Sequence, residues 1–201
     1  MAYSDFTLKK IQKDFKLEII EKFSFFVDIK EITISEHLKI TLEENIPIAM
    51  AINTEKARSE LIIINILLEL KRLFKKQISF FSGIDFNIDK DLGFWGFCDF
   101  IITKSSEQLF IKAPIIAIVE AKNENVMAGL GQCISEMLAA KIFNEQEEAN
   151  ISSIYGIITS GTVWKFLKLE ENKIIIDLKD YSIEHSEKII GIISAMIRQE
   201  A

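Results

Sequence analysis

The sequence predicts an α/β (α+β) domain, a central mixed β-sheet flanked by helices. Three observations lead there. Hydrophobic periodicity alternates in the order helix, strands, helix, strands, helix. Residues 113–121 are apolar on both faces, as a central strand is. Residues 53–76 read as a helix apolar on two sides, hence a buried one.

The chain has 201 residues, enough for one domain and too few for two. Residues 53–201 read as its core and 1–52 as an N-terminal helical or irregular extension. Within that extension, residues 7–15 suit a short amphipathic helix. Ser35 can cap another that runs to about Glu44, before Pro47. Asn53 or Thr54 caps the long helix, which the basic cluster Lys71, Arg72, Lys75 and Lys76 closes at its negative end. A phosphate-binding track is the other use of such a cluster. Strands follow at 78–88 and 96–103, with a turn at 89–93 between them. After the central strand, residues 126–144 form a helix with Met127, Leu130, Ile134, Met137 and Leu138 along one side. Residues 154–159 and 163–169 make a hairpin turning at Ser160-Gly161, residues 173–178 a further strand, and 186–198 a closing amphipathic helix.

Composition narrows the function. A hydrophobic fraction of 49% with only two prolines excludes a disordered chain. A net charge of −6 argues against a histone-like or repressor-like binder, since affinity for nucleic acid at high salt comes from cations displacing counterions. The start of the chain lacks the basic-then-apolar pattern of a secretory signal, and runs such as 61–68 and 113–119 are too short to span a bilayer. Cys98 and Cys133 are too few for a disulfide framework or a cysteine-rich zinc site, so a reduced, cytoplasmic protein away from membranes is expected. His37 and His185 are the only histidines, which disfavours zinc-hydrolase and Ser-His-Asp chemistry. Asp85-x-Asn87-x-Asp89 imitates a calcium loop, but Lys90 and Gly96 occupy the positions that need glycine and glutamate.

The central strand runs directly into Glu120-Ala121-Lys122. Alternation puts Glu120 and Lys122 on one face, where charges at the mouth of a core strand are costly unless paired or metal-bound. Asp99 is likewise embedded in the apolar strand 97–102. The plainer interpretation is that the strand ends there and the two charges of 120 and 122 neutralise each other in solvent. If the two strands pair, Asp99 and Glu120 meet at one sheet edge. Two hard carboxylates with an open coordination sphere suit Mg²⁺.

Asp99, twenty intervening residues and Glu120-Ala121-Lys122, then Gln132 opening the next helix, resemble the PD-(D/E)xK nuclease superfamily with its restriction-endonuclease-like fold. Residues 155–161, followed by Trp164 and Phe166, are also similar to the late hairpin in nuclease domains of type I restriction enzymes. Cys98 stands where the name-giving proline would be. The resemblance implies Mg²⁺-dependent hydrolysis of phosphodiesters, by default in DNA, with Mn²⁺ able to substitute. Asp99, Glu120 and the backbone carbonyl of Ala121 would hold the metal. Lys122 would orient the attacking water, Gln132 would position the water or Lys122, and Glu60 would add a further acid from the long helix. Cutting both strands of a duplex takes two sites, which a homodimer would supply.

Each assignment has a rival. Gln132 is otherwise an ordinary exposed helix residue, Glu60 otherwise pairs with Lys56 or Lys71, and Trp164 and Phe166 are core aromatics before they are a base-stacking platform. A non-catalytic regulatory or interaction protein with the same fold is the competing function, and an unrelated α/β binding protein is the third.

Overall fold

The computed structural model describes residues 2–199. Its centre is a mixed eight-stranded sheet in the order β1-β7-β6-β5-β4-β3-β2, with β8 attached beside β6. The strands are β1 (Glu18–Lys22), β2 (Ser79–Asp85), β3 (Phe97–Thr103), β4 (Ile115–Ala121), β5 (Ile154–Thr159), β6 (Val163–Glu170), β7 (Lys173–Asp177) and β8 (Tyr181–Ser182). β1 pairs with β7, and β4 with β5, in parallel; every other pairing is antiparallel. All seven residues of β4 are buried, as its two-sided apolar pattern requires.

One face of the sheet carries α2 (Glu36–Ile52), α4 (Ile64–Phe74) and α6 (Ser186–Arg198) on a core that includes Leu38, Ile62, Ile66, Leu70, Val119, Trp164 and Ile193. The other carries α1 (Leu8–Phe15) and α5 (Leu130–Gln146) on Phe6, Ile11, Phe94, Ile118, Ile134 and Met137. The helix starts follow their caps: Thr7, Ser35 and Thr54 each accept a backbone N–H from three residues on. The long helix is α3 (Glu55–Arg58), then a π turn (Ser59–Ile63), then α4. Its basic end serves the fold: Lys71 donates to the Ile78 carbonyl and Arg72 pairs with Glu69.

Two local expectations change, and one apolar helix stands out. α2 does not stop before Pro47 but continues to Ile52. Pro47 and Glu43, whose carbonyl loses its helical donor, are both exposed, so water can satisfy that carbonyl, while Leu38, Leu42 and Ala49 anchor the helix on its inner side. The N-terminal residues also contribute directly to the sheet and core, through β1 and through Tyr3, Phe6, Ile11 and Leu17. Finally, residues 126–146 are the one helical stretch among the described residues long and apolar enough to cross a membrane, and 67% of that window is buried inside the structure. The helix is apolar because it is sandwiched between β4 and β5 on one side and α1 on the other.

Trp164 and Phe166 are fully buried: the indole N–H donates to the Gly161 carbonyl at 2.9 Å, and Phe166 packs on Phe26 and Tyr181. They are core aromatics. The calcium-loop mimic is a capped turn, in which Asn87 accepts the Gly96 amide and Asp89 those of Asp91 and Leu92.

Candidate active site

The site forms where β3 and β4 part. Their ladder reaches Phe100↔Val119 and goes no further. On the other side of β3 the pairing skips the step between Ser82↔Phe100 and Ile84↔Cys98, where Gly83 takes a φ of 58°. Asp99 therefore lies at an interruption in both of its ladders, the kind of irregularity that re-aims a side chain. A glycine inside an apolar strand is the sequence signal for it. The Asp99 carboxylate enters the gap and accepts the backbone N–H of Ala121 at 2.8 Å. The Ala121 amide thereby holds Asp99 in place, a contact separate from the metal-ligand role expected of the Ala121 carbonyl.

Glu120 is 1% exposed, although it lies one residue from the end of β4. One of its oxygens receives the Lys122 ammonium; the other, Oε2, is buried and has no hydrogen-bond partner. Lys122 also donates to the Gln132 side-chain oxygen at 3.3 Å, and Gln132 donates from its Nε2 to Glu136 at 3.1 Å. A polar chain consequently runs from the C-terminal end of β4 into α5: Glu120, Lys122, Gln132, Glu136. Gly129 makes room for it. A Cβ there would stand 2.9 Å from Ile158 Cγ2 and 3.2 Å from Lys122 Cε, so a larger residue would press on Ile158 and crowd the lysine stem.

Burial sets the electrostatics. It drives the Glu120 carboxyl up to about 8, reinforced by the negative charge of Asp99 and opposed by Lys122. Burial also raises Asp99, against the pull of the Ala121 amide and Lys122. It works against the charge on Lys122, yet Glu120, Glu55 and Asp99 together hold that ammonium above its ordinary value. Glu136, fully buried, is lifted well above the carboxylate range by desolvation and then by Glu120.

Asp99, Glu120, Lys122 and Gln132 are all brought together. Glu60 stands further out. It lines a cleft of about 250 Å³ together with Glu55, Lys56, Ser82 and Asp99, and its carboxylate pairs with Lys56 at 2.8 Å. The acid on that helix that reaches the site's field is Glu55, whose own carboxyl is raised by burial and by Asp99 and lowered by Lys122. Sequence reasoning passed over Glu55, which in the sequence carries no signal beyond that of an acid in the first turn of a helix. It also passed over Glu136, although Glu136 follows Gln132 by one helical turn.

Among the described residues, no group of three or more His, Cys, Asp or Glu side chains is arranged to hold a metal ion. The donor set is two carboxyls, Asp99 and Glu120. A hard divalent cation is compatible with it: Glu120 Oε2 is buried without a hydrogen-bond partner, a cation there would replace the proton that burial favours on this carboxyl, and Mg²⁺ takes one or two carboxylates while keeping its waters. No protein-family model matches the chain, and no curated protein matches it.

Proposed function

We propose that this chain is a Mg²⁺-dependent nuclease of the PD-(D/E)xK superfamily that hydrolyses phosphodiester bonds in DNA. One observation carries the reading: Asp99 and Glu120 converge where β3 and β4 separate, with the Lys122 ammonium on the Glu120 carboxyl. Asp99 and Glu120 would hold Mg²⁺, or Mn²⁺ in its place, which would polarise a phosphoryl oxygen and acidify a bound water. The Ala121 amide keeps Asp99 in one orientation, so the carboxylate needs little reorganisation on binding. Lys122 supplies the positive charge that offsets charge building on the attacked phosphate, and it can orient a water by hydrogen bonding. Gln132 fixes that ammonium from the α5 side. Nucleic acid is then the partner, with the cation offsetting the acid-rich rim of Glu55 and Glu60. We place the activity in the cytoplasm, where the free thiols of Cys98 and Cys133 stay reduced.

A second reading has its own support. Glu120 already has a counter-charge in Lys122, as it would in a non-catalytic regulatory protein that kept the fold. Plasmid and linear DNA incubated with the protein and Mg²⁺ or Mn²⁺ separate the two. Cleavage that disappears in Lys122→Ala is the expected result; no cleavage by the wild type, or cleavage indifferent to Lys122→Ala, overturns the nuclease. Calorimetry that finds no Asp99-dependent Mg²⁺ binding favours the regulatory protein.

A further inference from the structure

We propose that Glu136 is a positioning residue of this site, clamping the Gln132 amide by its nitrogen so that the amide oxygen is presented to Lys122. The inference rests on the nuclease reading for its consequence in catalysis, but the clamp itself is a matter of geometry. A glutamine amide has a donor end and an acceptor end on a flexible stem. Here both ends are engaged: Nε2 donates to Glu136 Oε1 at 3.1 Å and Oε1 accepts from Lys122 Nζ at 3.3 Å.

Nothing in packing asks for a carboxyl at 136. The residue is 0% exposed between Cys133, Met137 and Ala140, all fully buried, and its second oxygen has no partner. A leucine or methionine would fill that space without the cost of burying a polar group. The hydrogen bond the carboxyl does receive comes from Gln132. Burial, and then Glu120, raises the Glu136 carboxyl well above its ordinary range, and the hydrogen bond it makes is to Gln132 and not to Lys122. Without it, the Gln132 nitrogen would lose its buried acceptor. The half-buried side chain would then turn toward water and release Lys122.

The test is lysine acetylation by an N-hydroxysuccinimide ester, read at each lysine by peptide mass spectrometry on the intact, metal-free protein. Lys165 is the internal control, being buried and held by the carbonyls of Asp177 and Leu178 at 3.2 Å each. Glu136→Ala and Glu136→Leu should raise Lys122 labelling about tenfold, the loss of roughly one hydrogen bond to a charged group, while Lys165 stays at its native rate. Glu136→Gln keeps an acceptor for the Gln132 nitrogen and should restore the native rate. In cleavage assays kcat should fall about tenfold in the first two variants with KM for DNA unchanged, and recover in the third. Native Lys122 labelling in both Ala and Leu variants overturns the proposal. So does a parallel rise at Lys165 in both, which would mean general loosening. A wild-type chain that cuts no DNA defeats the nuclease reading alone, because the labelling pattern is read without DNA.

Discussion

Asp99 accepts the main-chain N–H of Ala121 across the gap between β3 and β4, at 2.8 Å, so a side chain takes the place of a ladder bond. The carboxylate thereby has a structural duty and a charge, and two substitutions separate them. Asp99→Asn keeps an acceptor for the amide; Asp99→Ala leaves that amide unpaired. In urea unfolding, Ala should be less stable than Asn by about 1–3 kcal/mol. Both should lose Mg²⁺ binding by calorimetry, and equal stability of the two variants would show that the amide has found another partner.

The raised carboxyls make the metal-free protein weaker in alkali. Glu120 is pushed up to about 8 from 4.5, and Asp99 is raised as well. Between these limits the folded chain holds protons that the unfolded chain has released, so stability is full below about 4.5 and falls as pH rises through about 8. Denaturant midpoints at pH 5 and 8.5 should show the drop, Glu120→Gln should reduce it while leaving the shares of Asp99 and Glu136, and Mg²⁺ should oppose it at the higher pH. Binding of the cation at pH 7 should release protons, seen as a buffer-dependent calorimetric heat.

Glu55 and Glu60 differ in reach. Glu60 is spent on an exposed pair with Lys56, whereas Glu55 acts on Asp99, Glu120 and Lys122. Glu55→Gln should weaken Mg²⁺ affinity several-fold, by loss of one nearby negative charge, and Glu60→Gln should leave it close to wild type. Calorimetric titration of both variants checks the order, and the reverse order would return the supporting role to Glu60.

Gly129 is the space through which Lys122 reaches Gln132. Gly129→Ala puts a methyl against Ile158 and the lysine stem, an overpacking that should cost about 1–3 kcal/mol in thermal or denaturant unfolding. Cleavage should fall further than stability explains, as a drop in kcat under conditions where the variant is fully folded.

Much of this arrangement is legible in the chain. The caps Thr7, Ser35 and Thr54, the two-sided apolar strand before Glu120, and the turn at Ser160-Gly161 all depend on neighbours close in sequence. What was hidden depends on distant partners. β1 offers only Ile19 and Ile20 as half-buried residues, and it is a strand because β7 lies alongside. The inward turn of Gln132 and Glu136 could not be read from α5 itself. The N-terminal residues cover the side of that helix that its periodicity leaves polar; a Cβ on Gly131 would sit 2.1 Å from the Phe6 carbonyl. Asp99 and Glu120 were recognisable by type and spacing, but the interruption that joins them involves Gly83, on a third strand.

The parallel contact of β1 with β7 also sets a timetable for synthesis. A ribosome delivers residues 18–22 long before residues 173–177, so the early segment waits through most of translation for its mate. Phe26 waits with it, since its N–H is received by Asp177. Nascent chains halted anywhere short of that late strand would carry Ile19, Ile20 and Phe26 uncovered, which makes the interval before release the period of greatest risk of clumping.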